Sequence, residues 1–412
     1  MRLLNSLKNK SSTLGRKVKS ADKLLKISFL AGLAIFTLSI FLFKFEILAE
    51  LSVKEYQRLD VARSLHNLIA NPTDLFNGLL QRISVKLLPN HEIFALRLPV
   101  ALMLLSSIGF IASSLYIRFR NRYLPYTYIV LAISSPWLIL LAHQGYLPGI
   151  DLIFFLSLLV LSFLTITSTN LRLRRKSFFF IAGTASLASI LLQPLGIPIT
   201  IILSICLYRS TELKYQIIGF KKPAKLTAAL IALMPIAIGS FIIFKNHQFI
   251  QIISGIETFK NPAEILQNLI EVTKSIFGID QSKPLNSGTN RPDFLLIGAL
   301  LLTIYEAIKK RRARLILLAI FVSSFLLASI YPSPSGLVLP AILVPTITGL
   351  AIANMVNIID IAFPFNPYPR NIAKTAILLL ITVIASLGFY TFTTATVRQN
   401  SPQKINLSLQ KE

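Results

Sequence analysis

Apolar residues in this chain come in long unbroken blocks, with the polar residues gathered in short clusters between them. Ile27 to Phe43 and Leu98 to Ile117 contain no charged residue at all. A helix rises about 1.5 Å per residue, so roughly 20 such residues cross a hydrocarbon core. The blocks predict about eleven membrane helices, near 24–43, 97–117, 123–142, 150–169, 177–193, 195–208, 226–244, 293–308, 315–331, 337–358 and 374–392. Ser177 to Tyr208 is too long for one crossing and has basic clusters at both ends, which requires an even number of crossings. Gln193, Pro194, Gly196 and Pro198 supply a turn, so this block predicts a tight hairpin of two short helices.

A different period governs the two long segments assigned to the outer side, 44–96 and 245–292. In the first, Leu59, Ala62, Leu65, Leu68 and Ile69 recur at helical spacing, with Arg58, Arg63 and Asn67 placed opposite. Leu75, Leu79, Ile83 and Leu87 repeat the pattern, as do Ile265, Leu269, Val272 and Ile276 in the later segment. These are the marks of amphipathic helices lying in the interface plane. The expected architecture is all-α and polytopic: one membrane domain over residues 1–392, then a short polar tail at 393–412.

Composition agrees, because 54% hydrophobic and 14% charged residues in 412 exceed what one water-soluble core can bury. The net charge of +25 does not mark a nucleic-acid binder, since the basic residues lie in short clusters between apolar blocks rather than on one soluble face. Lys and Arg in short loops are retained in the cytoplasm. Placing every basic cluster there sets the amino terminus inside and the carboxyl terminus outside, in a plasma (inner) membrane. Lys8, Lys10, Arg16, Lys17, Lys19, Lys23 and Lys26 precede the first block without a small-residue cleavage site after it, which predicts an uncleaved anchor. Cys206, the single cysteine, falls inside an apolar block and reads as a small packed residue. His66, His91 and His143 lack metal-ligand spacing.

Two stretches resemble a known family. Residues 54–63 read KEYQRLDVAR and residues 91–102 read HEIFALRLPVAL, with Glu92, Arg97, Leu98, Pro99 and Ala101 in register. They are similar to the acidic head of an outer amphipathic helix, and to the opening of the second membrane helix, in the GT-C superfamily of lipid-linked-sugar glycosyltransferases. The nearest branch is glycosyltransferase family 39 and the aminoarabinose-transferase-like enzymes. Ser135 and Pro136 followed by Asp151 match a further family position, and LVLPAILVP at 337–345 resembles a later one without its leading Arg. Lys54 stands where the family has Asp, and Gln193 where it has a basic residue.

The resemblance implies transfer of a sugar from a polyprenyl-phosphate donor to a glycan, lipid or protein acceptor on the extracytoplasmic face. Such a reaction needs a carboxylate to take the acceptor's proton and cations to stabilise the departing phosphate. The carboxylates implied are Glu55 and Asp151, and the donor-phosphate cations Arg97, Lys54, Arg63 and Lys86. A divalent cation, Mg or Mn, is implied as well, with Lys54 arguing against it: its ammonium could replace the metal. The rival readings are a non-catalytic scaffold or binding protein and a transporter or flippase for a lipid-linked substrate. The halves 1–210 and 211–412 lack the internal repeat a transporter predicts.

Overall fold

The computed structural model describes residues 53–64, 74–119, 123–147, 149–168, 173–254, 262–276, 322–329 and 338–399. Every regular element among them is an α-helix. In chain order these are α1 (Val53–Arg63), α2 (Leu75–Leu87), α3 (Glu92–Phe119), α4 (Tyr123–Ser134), α5 (Pro136–Ala142), α6 (Ile150–Thr167) and α7 (Leu173–Ile190), then α8 (Gly196–Arg209), α9 (Thr211–Ile218) and α10 (Lys222–Lys245). The remainder are α11 (Gln248–Ser254), α12 (Pro262–Ile276), α13 (Val338–Ala362) and α14 (Pro367–Gln399). Residues 322–329 are also helical.

The chain is a multi-pass membrane protein. Among the described residues Glu92–Phe119, Ile150–Thr167, Lys222–Lys245 and Pro340–Ala362 are long and apolar enough to cross a bilayer, and α8 meets the same measure only when taken together with α9, from which it is bent by 79°. The expected spans at 24–43 and 293–308 lie outside the described residues. The expected span 123–142 is broken into α4 and α5 at Ser135, because Pro136 lacks an N–H and disfavours helical geometry in the residue before it. α14 continues to Gln399, beyond the end expected at 392.

The hairpin of α7 and α8 forms as the sequence implies. Leu195 turns the chain in a left-handed conformation with φ 59°, and its N–H donates to the Ile252 carbonyl at 3.2 Å. A Cβ on Gly196 would lie 2.3 Å from the Ile190 carbonyl oxygen, so only glycine fits. Leu192 in this turn packs with Leu75, Ile242, Phe249 and Ile253, which joins the hairpin to α2, α10 and α11. Farther along, α13 lies on α4 so closely that a Gly349 Cβ would stand 3.3 Å from the Tyr128 nitrogen.

The second and third amphipathic stretches form α2 and α12, and their facing is informative; Leu65, Asn67, Leu68 and Ile69 of the first lie outside the described residues. α2 buries Leu75, Asn77, Gly78, Gln81, Ser84 and Val85, while Leu79, Ile83 and Leu87 are exposed. Beyond Leu75, its apolar stripe thus turns away from the protein and its polar side inward, the orientation of an interface helix. α12 does the reverse: Val272 is buried and Ile265 and Leu269 are half-buried. Asn268 of α12 donates to the Ser329 carbonyl at 3.2 Å. Two expectations are overturned. Arg58, placed on the polar outer face of α1, is buried, because its donors find acceptors inside. Cys206, expected to be packed, is exposed on α8, beside the exposed apolar residues Ile201, Ile202 and Ile205.

Candidate functional site

Glu55, Arg58, Leu59 and Ala62 are spaced i, i+3, i+4 and i+7, so α1 presents them on one face, and all four are buried. Leu59 packs with Val85, Ala95 and Leu96, which brings Glu55 against the start of α3. There Arg97 donates from Nε to Glu55 Oε1 at 3.0 Å and from Nη2 to Oε2 at 3.2 Å. This is the two-pronged fork that a planar guanidinium makes with a carboxylate. The Gly145 N–H adds a 2.6 Å bond to Glu55 Oε1. Gly145 is needed for that approach, since a Cβ would sit 2.7 Å from Leu96 Cδ2 and 2.9 Å from Glu55 Oε1.

The network continues from Gly145 without a break. Its carbonyl accepts from Gln81 Nε2 at 2.6 Å, and the Leu96 carbonyl accepts from the same nitrogen at 2.9 Å. Gln81 Oε1 accepts from Arg58 Nε at 2.9 Å, and Arg58 Nη2 donates to the Asp74 carbonyl at 2.9 Å. Arg58 therefore ties α1 to the start and the middle of α2. The buried Gln81 on the polar face of α2 makes this possible.

Asp74 and Asp151 close the network by capping each other's helices. A helix N-terminus leaves N–H groups without intrahelical partners. Those of α2, Phe76 and Asn77, donate to Asp151 Oδ2 at 2.8 Å and Oδ1 at 2.9 Å. At the head of α6 the Gly149 N–H donates to Asp74 Oδ1 at 3.0 Å. Neither Asp74 nor Gly149, the residues just preceding these helices, gives its own helix a side-chain cap. Each helix dipole thus faces a carboxylate supplied by the other. Burial pushes the Asp74 carboxyl up to about 6, opposed by the charge of Arg58 and by the Gly149 N–H.

Of the residues singled out from sequence, Glu55 and Arg97 meet directly, and Asp151 is linked to them through Asp74, Arg58, Gln81 and Gly145. Arg63 is exposed and pairs with Glu92 and Asp60, closing α1 onto α3 outside the buried network. Lys86 is exposed in the last turn of α2. Lys54 lies in the first turn of α1. His143 is buried and its Nδ1 meets the Ile139 carbonyl at 2.7 Å. Among the described residues no group of three or more His, Cys, Asp or Glu side chains could hold a metal ion. Glu55, Asp74 and Asp151 each accept from backbone N–H donors.

Sequence reasoning missed Arg58, Asp74, Gln81 and Gly145. The helical spacing of Arg58 from Glu55 was a usable signal, as was Asp74 directly ahead of an amphipathic run. Nothing local marks Gly145 or Gln81.

No family model and no curated protein matches the chain. Two solved structures do, both of ArnT from Cupriavidus metallidurans. The apo structure aligns with a TM-score of 0.62 at 13% identity over 91% of this chain and 77% of that one. The structure bound to undecaprenyl phosphate aligns with a TM-score of 0.62 at 13% identity over 90% and 77%. At that identity the likeness is one of fold: the chain has the ArnT fold.

Proposed function

With the ArnT fold as premise, we propose that this protein is an inner-membrane glycosyltransferase that moves a sugar from a polyprenyl-phosphate donor to an envelope acceptor on the extracytoplasmic face. The observation that carries the reading is the buried fork between Glu55, in the first turn of α1, and Arg97 of α3. A solved neighbour bound to undecaprenyl phosphate supports the class of donor.

In the resting arrangement Arg97 holds Glu55. A donor phosphate is a stronger partner for a guanidinium fork than a carboxylate is, and by engaging Arg97 it releases Glu55 to act as base. The acceptor hydroxyl then gives its proton to Glu55 while its oxygen bonds to the anomeric carbon. The bond from that carbon to the phosphate oxygen breaks, and the polyprenyl phosphate leaves with the electron pair. Arg97 and Lys54 neutralise the leaving phosphate without metal, and Arg63 and Lys86 steer the anionic donor toward the site. Asp151 acts by position, holding α2 against α6.

A second reading is favoured by one observation: the oxygens of Glu55 and Asp151 are all engaged in bonds that hold helices together, as in a non-catalytic binding protein that has kept the fold. Reconstituting the protein in lipid with labelled polyprenyl-phosphate sugars separates the two. Transfer by the wild type, lost in Glu55→Gln per mole of folded protein and indifferent to chelation, is the expected result. Equal transfer by both forms removes Glu55 as base. Absence of transfer by the wild type with any donor sugar favours the binding protein, and transfer lost on chelation and restored by Mn or Mg overturns the metal-free step.

A further inference from the structure

The ends of the helices away from the Glu55 network carry a surface of different chemistry. α8 stops at Arg209, and α9 follows at an angle of 79°, started by Ser210, whose Oγ accepts the Leu213 N–H at 3.3 Å. α10 then returns into the membrane from Lys222. Since α8 and α10 both expose long apolar faces, including Ile201, Ile202, Ile205, Leu226, Leu230 and Leu233, the short helix between them lies along the bilayer surface.

Its inner side is anchored. Leu213 and Phe220 are buried with Ile166, and Ile217 packs against them. Gln216 accepts from Lys176 Nζ at 3.0 Å, which fixes α9 to α7. Its outer side exposes Tyr215 and Ile218, beside Tyr208. Arg209, Lys214, Lys221 and Lys222 are exposed around them. None of the four makes an ion pair among the described residues, and Lys214 lies 3.8 Å from the centroid of the Tyr208 ring. Glu212 is the one acid between 209 and 225.

We infer that this surface, Arg209, Lys214, Lys221 and Lys222 around Tyr208, Tyr215 and Ile218, binds the head groups of anionic phospholipids in the adjoining leaflet. Unpaired cations at a membrane surface attract acidic lipid, and aromatic rings settle at head-group depth. Continuity with two lipid-facing helices and the excess of positive charge commit the occupant to the bilayer.

The test is native mass spectrometry of the full chain, released from nanodiscs holding equal phosphatidylglycerol and phosphatidylcholine. The wild type should retain phosphatidylglycerol preferentially. The variant Arg209→Gln, Lys214→Gln, Lys221→Gln, Lys222→Gln should lower that preference about tenfold or more. Arginine at the three lysine positions should keep it, which separates charge from misfolding. High salt during release should weaken the wild-type preference. Equal retention by the glutamine variant and the wild type overturns the inference, as does loss of preference in the arginine variant. Displacement of the lipid by millimolar inorganic phosphate, at constant ionic strength, would make this a free-phosphate site instead.

Discussion

Glu55→Gln isolates the central contact. The glutamine keeps the shape and an acceptor for the Gly145 N–H, but it removes the charge facing Arg97. At 3.0 Å and an effective dielectric of about 20, the gross attraction of two unit charges is about 5 kcal/mol. Most of that offsets the desolvation of the two groups, so the intact pair contributes little net stability. The buried, uncompensated cation left behind by its removal is the larger effect. Arg97 is 2% exposed and Glu55 6%, and breaking a pair so deeply buried costs about 3–5 kcal/mol. Arg97→Met should cost a similar amount, for the complementary reason. The double variant Glu55→Gln, Arg97→Met buries no charge and should recover to within about 1–2 kcal/mol of the wild type. Unfolding midpoints of the four proteins in one detergent, followed by tryptophan-independent circular dichroism, give the coupling directly. Additive losses, or a Glu55→Gln protein within about 1 kcal/mol of the wild type, would refute the buried fork.

Three further outcomes test the surroundings. Asp151→Ala leaves the Phe76 and Asn77 N–H groups without acceptors and should cost about 1–3 kcal/mol; hydrogen exchange should quicken at those two amides while α13 is unaffected. Gly145→Ala forces a methyl against Leu96 and Glu55 and should cost about 1–3 kcal/mol, with Leu96→Ala in the same chain recovering part of it, as read from melting temperatures. Asp74 is raised in the folded protein to about 6, above its unfolded value. Its contribution to stability is therefore full below about pH 4 and is lost as the pH rises through about 6. Asp74→Asn should thus gain stability on the wild type at pH 8 relative to pH 4, measured by unfolding at both values; a constant difference would contradict this burial.

The membrane class, the position of most described spans, the α7–α8 hairpin and the interface helices are all legible in the amino-acid order. Apolar transfer into lipid accumulates residue by residue along one segment, so runs such as Leu98 to Ile117 declare themselves without reference to the rest of the chain. The pairing of Glu55 with Arg97 was half legible: the resemblance marked both residues, though not their contact. Which way a face turns was not legible. In a bilayer an apolar residue is equally at home against lipid or protein, so the pattern alone did not place Cys206 outward or Val272 inward. Arg58 went the opposite way from its polar character because Gln81 and the Asp74 carbonyl, 23 and 16 residues distant, satisfy it inside. Asp151 caps a helix 74 and 75 residues earlier in the chain. Contacts of that kind depend on where separate helices end in space, and only tertiary packing decides it.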